Sequence, residues 1–163
     1  MTASPPDEST RARLVTSARR LFTSGSYGSV GVQELCKDAD VRRGSFYYQF
    51  ESKQDLALAA LDAEWRVLRD EVFEPAFAPG TDPTLALDRF QDLLYACHQR
   101  RAEEVERFGG CLLVSLSQEM ATIDERIRDR AAEHMERARE YFVAALETAV
   151  GDGTVPAIDV SAS

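Results

Sequence analysis

Residues 21–56 read LFTSGSYGSVGVQELCKDADVRRGSFYYQFESKQDL. The spacing predicts a short helix over residues 31–39, with Val32, Leu35 and Cys36 inward. Asp40-Val41 interrupts it, and a second short helix follows over residues 42–49. Ser52 then has the chemistry of an N-cap, with Asp55 placed in the first turn where negative charge suits the dipole. Val32, Leu35, Val41, Phe46 and Phe50 form a miniature core on this reading. Arg42, Arg43, Ser45, Tyr48 and Gln49 are left facing outward. Two short helices, a tight turn and a basic outer face make a helix-turn-helix whose second helix can enter a major groove.

Working outward, Leu14, Ala18, Leu21 and Phe22 lie on one stripe of a helix over residues 9–24, which Gly25 stops. Downstream, Leu56, Ala60, Leu61, Trp65, Leu68 and Val72 mark a long helix that ends near Pro75. Pro79-Gly80 is a loop, and Asp82-Pro83 restarts a helix carrying Leu85, Phe90, Leu93, Leu94 and Cys97. Its polar continuation HQRRAEEVER runs towards Gly109-Gly110. CLLVSLSQEM, residues 111–120, is a short apolar helix with Leu112, Leu116 and Met120 in register. Thr122 and Glu125 have capping-box spacing. They open a helix to about residue 150, with Ile127, Ala131, Met135, Ala138, Phe142, Ala145 and Leu146 as its stripe. The tail has no helical period and is expected to fray. The fold class is all-α: residues 1–53 form a helix-turn-helix domain and residues 54–163 an antiparallel helical domain.

Charge divides at the same place. Residues 1–53 hold eight Lys/Arg against six Asp/Glu, a balance of +2; residues 54–163 hold 11 against 22, a balance of −11; the whole chain carries −9. A polyanion therefore meets the first third, and the acidic body favours one docking orientation by repelling it. Cys36, Cys97 and Cys111 are an odd count at irregular spacing, which suits a reducing compartment better than a disulfide framework. The N-terminus has neither a basic start nor an apolar run, and no stretch reaches membrane-helix length, so a cytoplasmic protein without a membrane partner is expected.

Leu21, Phe22, Tyr27, Val32, Leu35, Ala39, Val41, Gly44, Ser45, Phe46, Tyr47, Phe50, Lys53 and Leu56 fall in a pattern that resembles the DNA-binding domain of the TetR family of bacterial repressors. The resemblance implies that Tyr47 and Lys53 hold phosphates while Arg43, Ser45, Tyr48 and Gln49 face bases. It implies a double-stranded operator, a homodimer, and a small-molecule effector bound in a cavity after residue 54. The chain departs from the pattern in four places. Val30 stands where a Thr caps the second helix, so that cap moves to Ser29 or is lost. Asp40 replaces the turn glycine, which Asp tolerates because it visits left-handed geometry. Arg42 replaces the Ser that caps the recognition helix. The chain also stops one dimerisation helix short, so either it is a fragment or its dimer is built differently. Arg42 and Arg43 oppose the helix dipole, and placement against local preference suggests a use: a phosphate contact or a guanine edge.

Candidates for the effector cavity are Trp65, Phe90, Leu94, Cys97, His98, Cys111, Ser115 and Glu119. Cys111, Ser115 and Glu119 follow one another at four-residue steps, a polar rib that suits either a pocket wall or a wet helix edge. The helix after Ser52 is the expected lever between effector and DNA. The long helix after Asp124, with Tyr141, Phe142 and Leu146, is the expected dimer element. Cys97, His98, Cys111 and His134 match no zinc spacing, and no metal or cofactor is expected. No phosphate loop or nucleophile elbow supports an enzyme. The alternatives are a redox-sensing regulator through Cys97 or Cys111, a small helical enzyme, and an interaction module without DNA binding.

Overall fold

A computed structural model describes residues 9–103 and 110–154. Among these residues the elements are helices: α1 Thr10–Ser24, α2 Val32–Asp38, α3 Arg43–Gln49, α4 Lys53–Leu68, a π-helical turn Arg69–Phe73, α5 Glu74–Ala76, α6 Pro83–Glu103, α7 Leu112–Met120 and α8 Glu125–Gly151. The polar continuation of α6 and the tail fall partly outside the described residues.

The caps show why the helices begin where they do. Ser9 Oγ accepts from the Ala12 amide at 3.2 Å, and Ser52 Oγ accepts from the Asp55 amide at 3.1 Å. Ser52 also donates to the Asp55 carboxylate at 2.7 Å, closing the start of α4. Asp40 adopts φ +51°, the left-handed turn that its side chain tolerates. Helix α8 is capped by Asp124, which accepts from the Ile127 amide, and not by the Thr122–Glu125 box. Helix α2 has no side-chain cap: its N-cap is Gly31, Ser29 bonds with Ser26, and Val30 is core at 4% exposure. Gly25 ends α1 at φ −121°, so it acts through its N–H to the Leu21 carbonyl and not through left-handed geometry.

Helix α4 does not end at Pro75 by simple termination. The π turn Arg69–Phe73 inserts before α5, and one extra residue in a turn rotates the following face by about 100°. Phe73 and Phe77 thereby turn into the interior, which a 3.6-residue period did not forecast. In α8 the inward polar position is His134, 2% exposed, while Met135 and Leu146 are 40% and 46% exposed.

Two apolar clusters result. The first joins the helix-turn-helix to the body: Leu14, Phe22, Leu35, Phe46, Phe50, Leu56 and Leu61 pack with Leu112, Leu116, Met120 and Ile127. The second lies beyond it, built on Trp65, Leu68, Val72, Phe73 and Cys97 with Phe77, Phe90, Tyr141 and Phe142 around them. Cys111 packs against both.

Candidate nucleic-acid interface

Helix α3 is held from behind and at its C-terminal end. Phe46 is fully buried and Phe50 4% exposed, with ring centroids 6.1 Å apart. Helix α1 supplies the groups that finish the other two helices. Ser17 Oγ donates to the Leu35 carbonyl of α2 at 3.3 Å, and Arg20 pairs with Asp38. Arg11 donates to the Gln49 carbonyl at 3.1 Å, and its guanidinium lies 4.3 Å from the Phe50 ring centroid. A cation on a helix's last carbonyl satisfies an orphan acceptor and suits the dipole. Arg11 was missed in the sequence because its partner is 38 residues away.

The opposite side of α3 is open. Arg42, Arg43, Gly44, Tyr47 and Tyr48 are exposed, and Ser45 and Gln49 are half-buried. Tyr48 is 88% exposed, an extreme value for so large an aromatic side chain. Arg43 and Tyr47, one turn apart, form a unit: the guanidinium lies 5.8 Å from the ring centroid, and a hydrogen bond with Tyr47 pushes the arginine further into its charged form. Arg42 is the N-cap of α3 and makes no side-chain capping bond. Of the six sequence-predicted contacts on this helix, Arg42, Arg43, Tyr47 and Tyr48 are fully presented to the outside, and Ser45 and Gln49 only in part.

Lys53 is placed differently. Its Nζ donates to the Tyr27 and Val30 carbonyls at 2.9 and 3.0 Å and lies 4.0 Å from the Tyr27 ring centroid. Burial pushes its pKa down. Two of its three N–H groups therefore hold the loop between α1 and α2.

In the body, Trp65, Phe90, Leu94, Cys97 and Cys111 all meet at the second cluster, with His98 half-buried next to Cys97 on α6. Ser115 Oγ donates to its own helix at Cys111 and Leu112, and Glu119 accepts from the Tyr27 and Gly28 amides, so the proposed rib divides. Burial pushes the thiol pKa of both Cys97 and Cys111 up, away from reactive thiolate. Sequence reasoning missed a buried charge cluster here. Glu64, with no exposed surface, accepts from Arg19 of α1 at 3.1 and 3.2 Å and pairs with Arg101 of α6. His134 stacks on Trp65 at 5.6 Å, and its Nε2 lies 2.9 Å from Asp62 Oδ1. Two clefts open along α8. One of about 470 Å³ is bounded by Phe77, Pro83 and Tyr141; one of about 450 Å³ is bounded by Trp65, Arg69 and Arg137. Among the described residues, no cluster of three His, Cys, Asp or Glu could hold a metal, and no helix is long and apolar enough to cross a membrane.

Residues 14–60 match the family model described as bacterial regulatory proteins, tetR family, and residues 86–163 match that of the tetracyclin repressor-like C-terminal domain. The chain belongs to the TetR family. Among curated relatives of this TetR-family chain, the HTH-type transcriptional repressor NemR of Escherichia coli is 26% identical over 150 residues, 90% of this chain and 70% of NemR. The transcriptional regulator AcuR of Cereibacter sphaeroides is 34% identical over 119 residues, 71% of this chain and 51% of AcuR. Among solved structures, a TetR regulator from Chloroflexus aurantiacus aligns with TM-score 0.77 at 26% identity, over 92% of this chain and 74% of that one. The regulatory protein TetR from Rhodobacter sphaeroides aligns with TM-score 0.73 at 28% identity, over 86% and 72%. This TetR-family chain is a ligand-responsive, DNA-binding transcriptional regulator.

Proposed function

We propose that the chain is a cytoplasmic repressor that binds a palindromic operator as a homodimer and leaves it when a small molecule occupies the body. The observation that carries the reading is the open side of α3, where Arg42, Arg43, Tyr47 and Tyr48 are exposed beside half-buried Ser45 and Gln49; on a duplex, Arg43, Ser45, Tyr48 and Gln49 would face base edges, Tyr47 a phosphate, and Arg42 a phosphate or a guanine edge. Any phosphate contact by Lys53 uses the one N–H that its two carbonyls leave. Repression is carried over from NemR, which is named a repressor. The effector site lies at the second cluster, against Trp65, Phe90, Leu94, Cys97, His98 and Cys111, where aromatic and thiol groups meet between α4, α6 and α8. Helix α8, with Leu146 exposed, supplies the dimer contact. A coupling of about 1–3 kcal/mol between effector and DNA is enough for regulation.

The test is selection of bound duplexes from a random library. A palindrome with half-sites one turn apart, about 34 Å, is the expected result. Retention of no sequence over the starting pool, or of a single asymmetric site by a monomer, contradicts the reading.

A further inference from the structure

The loop between α1 and α2 is gripped from two sides by opposite charges. On one side the two oxygens of Glu119, near the end of α7, accept from the adjacent amides of Tyr27 and Gly28, both at 2.7 Å. On the other, Lys53 at the start of α4 donates to the carbonyls of Tyr27 and Val30. Two parallel bonds to one carboxylate fix orientation as well as position. The surroundings fit this grip. A Cβ on Gly28 would lie 3.2 Å from Glu119 Oε1, so a side chain there would push the carboxylate back by a few tenths of an ångström. Tyr27 is 8% exposed, packs on Phe22 at 5.3 Å, and has its pKa pushed up to about 12 by burial and by Asp124, Glu119 and Asp55.

Cys111, the N-cap of α7, touches both apolar clusters, while Leu112, Leu116 and Met120 belong to the cluster shared with the helix-turn-helix. One nine-residue helix therefore spans from the second cluster to the loop that leads into α2. We infer that Glu119 is a positioning residue: through the Tyr27–Gly28 backbone it sets how the helix-turn-helix is presented to DNA. This rests on the DNA-binding reading of α3. A glutamine at position 119 offers one oxygen and turns an amide NH₂ towards the second backbone N–H, so Glu119→Gln breaks the paired contact with little change of volume.

The experiment has two arms. Amide hydrogen exchange is followed in the free protein for the wild type, Glu119→Gln, Gly28→Ala and the double variant. Each is then titrated with the duplex selected by the wild type. Exchange at Tyr27 and Gly28 should rise about tenfold in Glu119→Gln while the buried amides of α4 are unchanged. Affinity for the duplex should fall about fivefold or more. Gly28→Ala should act in the same direction, and the double variant should be no worse than Glu119→Gln alone, because both remove one contact. Unchanged exchange at the two amides overturns the grip. Raised exchange with unchanged affinity overturns the positioning role, as does simple additivity in the double variant. If Glu119→Gln does not fold, Gly28→Ala, whose backbone is not left-handed, decides the question by the same two readings. A wild type that retains no duplex overturns the DNA-binding reading and this one together; exchange in the free protein tells that apart from failure of the grip alone.

Discussion

Arg43 and Tyr47 stand one turn apart on the open side of α3, the phenol engaging the guanidinium before any ligand arrives. A cation held in place loses less freedom on binding, and a planar guanidinium can bond two acceptors of a guanine edge at once. Arg43→Ala is therefore expected to weaken binding to the selected duplex by about 5- to 150-fold. A scrambled duplex should lose much less, as paired titrations would show. An equal loss on both duplexes would make Arg43 a phosphate contact. The outward residues of α3 were legible because a seven-residue helix anchored by Phe46 and Phe50 leaves them no other direction. Lys53 was not, because its carbonyl partners lie 23 and 26 residues upstream in a loop with no periodic signal.

Among the elements, α3 begins with a residue ill-suited to begin a helix. Arg42 occupies the N-cap with extended geometry and no side-chain bond, leaving the first amides of α3 without the oxygen that Ser would offer. Arg42→Ser is expected to raise stability by about 1 kcal/mol, read by urea denaturation. The same change is expected to lower affinity for selected and scrambled duplexes alike and to flatten the salt dependence by about one phosphate. A gain in stability with undiminished binding would remove Arg42 from the interface. The helices themselves were readable from apolar spacing, from the cap Ser52 and from the Asp82-Pro83 restart. The π turn at Arg69–Phe73 was not, since an inserted residue breaks the very period used to find the face. The aromatic group of Phe73, Phe77, Tyr141 and Phe142 is a consequence of that turn and of α8 returning against it. The rib Cys111–Ser115–Glu119 was legible as one helical face, but not as a face whose two ends touch different parts of the molecule.

At the scale of the molecule, the two halves are joined through charge as well as apolar packing. Glu64 ties α1 to α6 through Arg19 and Arg101 from the interior of α4. Replacing both arginines by Met leaves a buried carboxylate without partners. This is expected to cost about 3–5 kcal/mol in denaturant unfolding; a double variant as stable as the wild type would show that water reaches Glu64. The pH dependence follows from the histidines. Burial lowers the pKa of both His98 and His134, so the folded chain keeps them neutral where the unfolded chain, titrating near 6.5, takes up protons. Their contribution to stability is complete above about pH 6.5 and is lost as pH falls below it. The carboxylates whose pKa is lowered by hydrogen bonds, Asp55 and Asp82 among them, lose theirs only below about pH 4. Tm should therefore fall between pH 7.5 and 5.5, and less steeply in His134→Gln. A flat profile would contradict the burial of these rings.

If α3 reads sequence, its open face lies against bases. Tyr48, 88% exposed at its centre, is the position from which to ask. Tyr48 is replaced by the photoreactive p-benzoyl-phenylalanine, the protein is irradiated on its selected duplex in excess scrambled competitor, and the attachment site is mapped to the nucleotide. A crosslink to a base within each half-site and none to the competitor is expected; attachment scattered over both duplexes, or to protein alone, would show that this face does not read bases.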